Sequence, residues 1–242
     1  MPAALVTGSS RGIGRAIAIR FARDGYDVAV NYHTSADAAA DVADAVRDQG
    51  AAATVVGADV SDPDAAARLV GAAEEAFGGL DHVVNNAGID QHVYTADLSP
   101  SDFDHVMDVN VNGAFNVTKA ALSSLRASAD DPSVTNVSSI LAYTGAPIEC
   151  HYASSKAALV SLTKSHAGDF APDVRVNAVA PGHVETDMTA DRTAEEKQAE
   201  REGIPLDRFG RPEEIADAVA YLRDATFVTG ETLHVNGGEL MR

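Results

Sequence analysis

From end to end, short apolar runs alternate with longer segments of helical periodicity, and no other feature constrains the fold as much. Ala3 to Val6, Val28 to Val30, Thr54 to Val56, His82 to Val84, Val134 to Val137, Val174 to Val179 and Thr232 to Val235 read as strands. Helical patterns lie between them at Ile13 to Arg23, Ser35 to Gln49, Asp62 to Phe77, Phe103 to Leu125, Tyr152 to Phe170 and Pro212 to Leu222. The fourth of these divides into two pieces near Asn110. Val42 and Val46 are four apart, as one helix face requires, and Asp62-Pro63 is a helix start. Repeated strand–helix alternation implies a parallel sheet with helices on both faces. The expected class is α/β: a single Rossmann-type doubly wound domain over residues 1–242, with a parallel sheet of about seven strands. Ligands in such sheets bind outside the carboxyl ends of the strands, where strand order reverses. No linker, repeat or low-complexity tract interrupts the pattern. The polar stretch from Thr186 to Gly203 is the longest candidate for a mobile substrate flap, taken to extend over residues 186–207.

Composition narrows the partners. Hydrophobic residues make up 45% of the 242, but aromatics only 5%, so the core is aliphatic and alanine-rich. The 18 Lys and Arg against 36 Asp and Glu leave a formal charge of -18. A field of that sign repels nucleic-acid phosphates and weakens attraction to anionic membranes, so neither is an expected partner. Cys150 is the single cysteine, which excludes an internal disulfide and suits a reducing cytoplasm. The opening MPAALVTGSSRG lacks the charged start and long apolar stretch of a secretory leader. No apolar run approaches the ~20 residues of a membrane span. The expectation is a soluble cytoplasmic protein.

Thr7 to Gly14 reads TGSSRGIG, after a strand and at the opening of a helix. Gly8, Gly12 and Gly14 suit a tight turn and a close approach of backbone to a pyrophosphate, with Ser10, Arg11 and Ile13 between them. N–H groups at the helix start then face the phosphates. The spacing is G-x-x-x-G-x-G rather than G-x-G-x-x-G, so by itself it is weak evidence, the lesser alternative being a plain strand–helix turn. An NAD site places an acid at the end of the second strand. Here that strand ends Asn31-Tyr32-His33, while Asp24 and Asp27 lie at its other end. Arg11, inside the turn, is placed to meet a 2′-phosphate, the alternative being a solvated turn residue. NADP(H) is the cofactor this favours.

Tyr152 and Lys156 are four apart on a predicted helix, on one face, and Ser139 follows the fifth strand near its carboxyl end. Reducing a ketone needs a hydride on carbon and a proton on oxygen. A free tyrosine, with a pKa of about 10, is too weak an acid at neutral pH, and a neighbouring ammonium is expected to lower it. Ser139 is suited to hold the carbonyl oxygen. An isolated Tyr-x-x-x-Lys pair is usually an ordinary surface pair, so spacing alone carries little. Cys150 and His151 beside the tyrosine make no metal site, and none of the eight histidines stands at a metal-ligand spacing with suitable partners.

Several motifs together resemble the short-chain dehydrogenase/reductase family: TGSSRGIG, Asn85-Asn86-Ala87-Gly88, Asn110, Ser139, the YASSK run from Tyr152 to Lys156, and Pro181-Gly182. Their order and separations match over essentially the whole chain. Ile204 to Leu222 and Val228 to Gly238 are similar to the corresponding segments of 3-oxoacyl-(acyl-carrier-protein) reductases. The resemblance implies further roles. Asn86, Ala87 and Gly88 would line the cofactor; Asp59 and Val60 would flank the adenine. Asn110 would kink its helix and hold a water in a proton relay through Lys156. Val184 and Thr186 would meet the nicotinamide carboxamide beside Pro181 and Gly182. A homotetramer built through the long helices and the C-terminal strand is also implied. The segment Phe170-Ala171-Pro172-Asp173-Val174 is shorter than usual in such reductases and lacks an arginine used to dock an acidic carrier protein; Arg126 lies near the other such place.

Three readings follow. The first is reduction of a 3-oxoacyl thioester, bound to acyl carrier protein or coenzyme A, in fatty-acid or polyketide synthesis. The second is a reductase of another small ketone, sugar or alcohol. The third is a non-catalytic dinucleotide sensor, against which the intact Ser139, Tyr152, Lys156 and Asn110 speak.

Overall fold

In the computed structural model, which describes residues 1–186 and 193–241, parallel strands run in the order β3-β2-β1-β4-β5-β6-β7. The strands are β1 (Ala3–Val6), β2 (Asp27–Tyr32), β3 (Ala53–Gly57), β4 (His82–Asn85), β5 (Ser133–Val137), β6 (Arg175–Pro181) and β7 (Thr232–Val235). Order reverses between β1 and β4, the switch point at which a crevice opens above the sheet. The expected doubly wound sheet is therefore present.

The helices are α1 (Gly12–Arg23), α2 (Ala36–Arg47), α3 (Pro63–Phe77), α4 (Pro100–Met107), α5 (Gly113–Ala127), α6 (Leu141–Thr144), α7 (Cys150–Phe170), α8 (Ala194–Glu202) and α9 (Pro212–Asp224). A π-helical turn, Asp108–Asn112, joins α4 to α5 at the place where the sequence divides one helical pattern into two. Local chemistry sets several ends. The Asp62 carboxylate accepts the Asp64 and Ala65 N–H groups at the start of α3, Pro63 occupies its first turn, and Gly78 closes it at φ 83°.

Alternation along each strand feeds two cores. Ala4, Val6, Val28 and Val30 face Ile17, Phe21, Val42, Ile215 and Val219 on one side. Ala3, Leu5, Ala29 and Val83 face Leu69, Val117, Leu125 and Phe170 on the other. Both faces of β1 are dry, which is why it reads as an unbroken apolar run. Full burial of a side chain such as Phe21 or Leu125 contributes about 1.5–3 kcal/mol, and the sheet is clamped on both faces at that scale. Part of the expected flap, residues 187–192, lies outside the described residues; Ala194–Glu202 within it is helical and opens on a capping box from Thr193 to Glu196. Among the described residues no helix is long and apolar enough to cross a membrane.

Candidate active site

The crevice is stitched at the switch point by residues from β1 and β4. Thr7 is buried. Its hydroxyl accepts the Asn86 and Ala87 N–H groups at 3.0 Å. The Asn86 amide returns to Thr7 O and Gly8 O at 2.9 and 3.0 Å. Gly8 sits at φ 59°, and a Cβ there would come within 2.8 Å of Ala87 Cα. A Cβ on Gly14 would lie 2.5 Å from both Asn86 Nδ2 and Gly8 O. Glycine at both positions is thus imposed by contact between the turn and the Asn86 segment. Arg11 stands at the N-cap of α1, whose own first turn holds no acidic residue, a helix start of the kind that suits an anion. Ser10 lies beside it, partly buried, and Ile13 joins the first core.

Asn31, expected from sequence to touch the cofactor, has its side chain engaged in bracing. Its Oδ1 accepts the Gly8 N–H at 3.0 Å, and its Nδ2 donates to Tyr32 O, Val56 O and Ala58 O, each at 3.2 Å. Tyr32 lays its ring over Gly57. His33 is exposed, its Nδ1 4.0 Å from Asp59 Oδ2. Asp59 also accepts from the Ser61 backbone and hydroxyl. Val60 is buried against Gly113, and its carbonyl receives Asn116 Nδ2 at 3.1 Å. At the other end of the crevice Thr186 approaches Gly12; Val184 is buried and bridges Gly210. Pro181 ends β6, and Gly182 abuts Asn236 and Glu239.

Ser139, Tyr152, Lys156 and Asn110 come together from β5's end, α7 and the π-helical turn. Asn110 is buried and holds Ile89 from both sides, accepting its N–H at 2.8 Å and donating to its carbonyl at 3.0 Å. The same amide donates to Ser155 Oγ at 2.9 Å. Gly88 lies between Asn110 and Lys156; a Cβ there would sit 3.2 Å from Asn110 Oδ1 and 3.4 Å from Lys156 Nζ. Lys156 Nζ donates to Val137 O at 2.9 Å and stands 5.3 Å from the Tyr152 ring centroid. Ser138 Oγ fastens α7 to β5 through Lys156 O at 2.8 Å. Below, Asn85, Asn136, Thr118 and Thr163 form a buried side-chain chain with contacts of 2.8–2.9 Å. These contacts tie β4, β5, α5 and α7 together under the reacting atoms.

The electrostatics depart from the sequence expectation. Burial raises the Tyr152 phenol above its ordinary range, the charges of Asp90 and Glu149 push it the same way, and a hydrogen bond with Ser139 opposes them. Burial brings the Lys156 ammonium down to about 8, against the pull of Asp90. Burial and the two carboxylates outweigh any lowering by the ammonium, which is hydrogen-bonded to Val137 O. Asp90 and Glu149 were invisible in the sequence: they are far apart along the chain and belong to no recognisable spacing. With His92 they make, among the described residues, one group whose ligand-type atoms all lie within 4.8 Å of one another. Arg126, the expected carrier contact, lies 3.5 Å from Asp173 and over the Phe170 ring.

A doubly wound sheet with a glycine turn at its switch point, and a Ser–Tyr–Lys group across the crevice, defines a nicotinamide-dinucleotide oxidoreductase. The chain belongs to the short-chain dehydrogenase/reductase family. The family model described as "Enoyl-(Acyl carrier protein) reductase" matches residues 8–239. The chain is 40% identical over 242 residues to the 3-oxoacyl-[acyl-carrier-protein] reductase FabG of Staphylococcus aureus, covering 98% of each. It is 39% identical over 240 residues to glucose 1-dehydrogenase 2 of Bacillus subtilis, covering 97% of this chain and 93% of that protein. A short-chain dehydrogenase from Burkholderia cenocepacia, solved in complex with NADP, superposes with a TM-score of 0.93 at 37% identity, covering 98% of this chain and 97% of that one.

Proposed function

We propose that the protein reduces a ketone to a secondary alcohol with NADPH, its substrate being a 3-oxoacyl thioester that becomes the 3-hydroxyacyl form. The observation that carries this is the convergence of Ser139, Tyr152, Lys156 and Asn110 beside the glycine turn, in a chain similar along its full length to a 3-oxoacyl-[acyl-carrier-protein] reductase.

The bound dinucleotide supplies the hydride to the carbonyl carbon. The chain does the rest. Ser139 Oγ donates a hydrogen bond to the carbonyl oxygen, and the Tyr152 phenol transfers its proton there as negative charge develops. A phenol held above its ordinary range is protonated at neutral pH but is a weaker acid than free tyrosine, so the transfer depends on Ser139 and Lys156 stabilising the phenolate as it forms. Lys156 stabilises the phenolate left behind and contacts the cofactor. Asn110, through Ile89 and Ser155, positions the segment that carries Gly88 and supports proton return to Tyr152. Arg11 and the rim formed by Tyr32 and His33 would receive the adenosine 2′-phosphate, and Asp59 and Val60 would hold the adenine. Gly8, Ser10, Gly12, Ile13 and Gly14 hold the pyrophosphate, while Pro181, Gly182, Val184 and Thr186 hold the carboxamide. Gly8 at φ 59° and Gly12 at φ 55° give the turn a backbone that side chains rarely adopt, as a cradle of successive N–H groups for phosphate needs.

A second reading, oxidation of a sugar or sugar alcohol, draws on the similarity to glucose 1-dehydrogenase 2. The test is direct: NADPH oxidation with acetoacetyl thioesters of acyl carrier protein, coenzyme A and pantetheine, beside NADP reduction with glucose and ribitol. Turnover confined to the sugars would replace the first reading by the second. The proposal includes a cytoplasmic homotetramer. Phe115 is exposed on α5 and β7 is an edge strand, two surfaces that a second copy would cover. Sedimentation velocity checks it.

A further inference from the structure

Two loops meet beside the reacting groups. One follows Gly88 and carries Asp90, Gln91, His92 and Val93; the other leads into α7 and ends on Glu149, its N-cap residue. They are clasped by the Val93 N–H donating to Ile148 O at 2.7 Å and by Thr95 Oγ1 on Cys150 Sγ at 3.4 Å. His92 Nε2 lies between the two carboxylates, 3.2 Å from Asp90 Oδ2 and 3.1 Å from Glu149 Oε1. Only 9% of the Asp90 side chain and 12% of Glu149 is exposed, so water screens these charges poorly. One imidazole ring carries at most one positive charge against two carboxylates.

We propose that Asp90 and Glu149 form a charge filter at the substrate entrance, which admits uncharged 3-oxo esters and thioesters and rejects substrates carrying a carboxylate close to the reacting carbonyl. The placement carries the argument. Asp90 is two residues from Gly88, where a Cβ would meet Lys156 and Asn110; Glu149 is three residues from Tyr152 at the head of the same helix. Both charges reach the Tyr152 phenol, and that of Asp90 also reaches Lys156. A carbonyl seated on Ser139 and Tyr152 therefore lies within the same field. An ester or thioester presents no charge to it, whereas a free 3-oxo acid brings a like charge into a poorly screened site.

The inference rests on the ketoreductase reading, and one experiment separates the two. Acetoacetate and its methyl ester differ little in size and share the reacting carbonyl, but only the acid is charged. The quantity read is kcat/KM for the acid divided by kcat/KM for the ester, measured within each variant, so a loss of folded or active enzyme cancels. In Glu149→Gln the ratio should rise about fivefold over wild type, and in Glu149→Lys further still. Asp90→Asn should raise it as well, and added salt should raise it in wild type more than in Glu149→Lys. A purely structural role for the clasp predicts that both substrates fall together. A ratio within twofold of wild type in Glu149→Lys overturns the filter while leaving the ketoreductase reading intact. Failure of the wild type to reduce the ester or any acetoacetyl thioester overturns both.

Discussion

Asn31 is where the sequence places the cofactor discriminator, and replacing it by aspartate is the obvious way to seek NADH preference. The structure predicts damage to the fold instead. The side chain is 2% exposed and its two amide N–H bonds are shared among the carbonyls of Tyr32, Val56 and Ala58 at 3.2 Å. Asn31→Asp keeps the acceptor for the Gly8 N–H but aims a second oxygen at three carbonyls. Two lost buried donors cost about 1–1.5 kcal/mol each, and an unpaired carboxylate adds about 1–3 kcal/mol, for about 4 kcal/mol in all. In a chain of this size that lowers Tm by about 8–16 °C. The introduced carboxyl, held above its unfolded pKa by those carbonyls, is tolerated better at low pH; the loss grows as pH rises through its folded value. Thermal melts followed by circular dichroism at several pH values, with NADPH and NADH titrations, test this. A variant that melts within about 2 °C of wild type and prefers NADH refutes the bracing argument.

Four further outcomes are expected. Tyr152→Phe should lose nearly all turnover while NADPH still binds, and more than a tenth of wild-type kcat remaining would remove the phenol from its role. Arg11→Ala should weaken NADPH and leave NADH nearly untouched in fluorescence titrations; equal loss of both would make Arg11 a shaper of the turn only. Lys156, lowered to about 8 by burial, is neutral in the fold but protonated in the unfolded chain from about 8 up to its ordinary range, so stability should rise with pH across that window while kcat falls; unfolding midpoints of wild type and Lys156→Met against pH, beside wild-type rate profiles, check both signs. With a formal charge of -18, turnover on an acidic carrier protein should speed up as salt shortens the Debye length to ~10 Å at 0.1 M, more than turnover on a pantetheine thioester; a steep fall would reveal a basic dock.

Features carried by neighbours in the chain were legible before any coordinates. Strand–helix alternation pointed to a parallel sheet, because parallel neighbours need a crossover and a helix commonly supplies it. Asp62-Pro63 marked the start of α3 to within a residue, since a cap is a local contact. Tyr152 and Lys156 share a helix face because helical pitch puts residues four apart on one side. What required the tertiary structure is what joins distant segments. Gly8 is confined by Ala87, seventy-nine positions away, and the direction of the Asn31 amide follows from carbonyls on β3 and just beyond it. The phenol of Tyr152 was expected to be lowered by Lys156, but its surroundings were set by burial and by Asp90 and Glu149, which no local spacing connects. The sequence by itself determined the elements and the reacting groups, because those follow from backbone geometry and side-chain chemistry. Only the tertiary structure decided which charges stand beside the reacting atoms, because Coulomb energy depends on distance and burial in space rather than on separation along the chain.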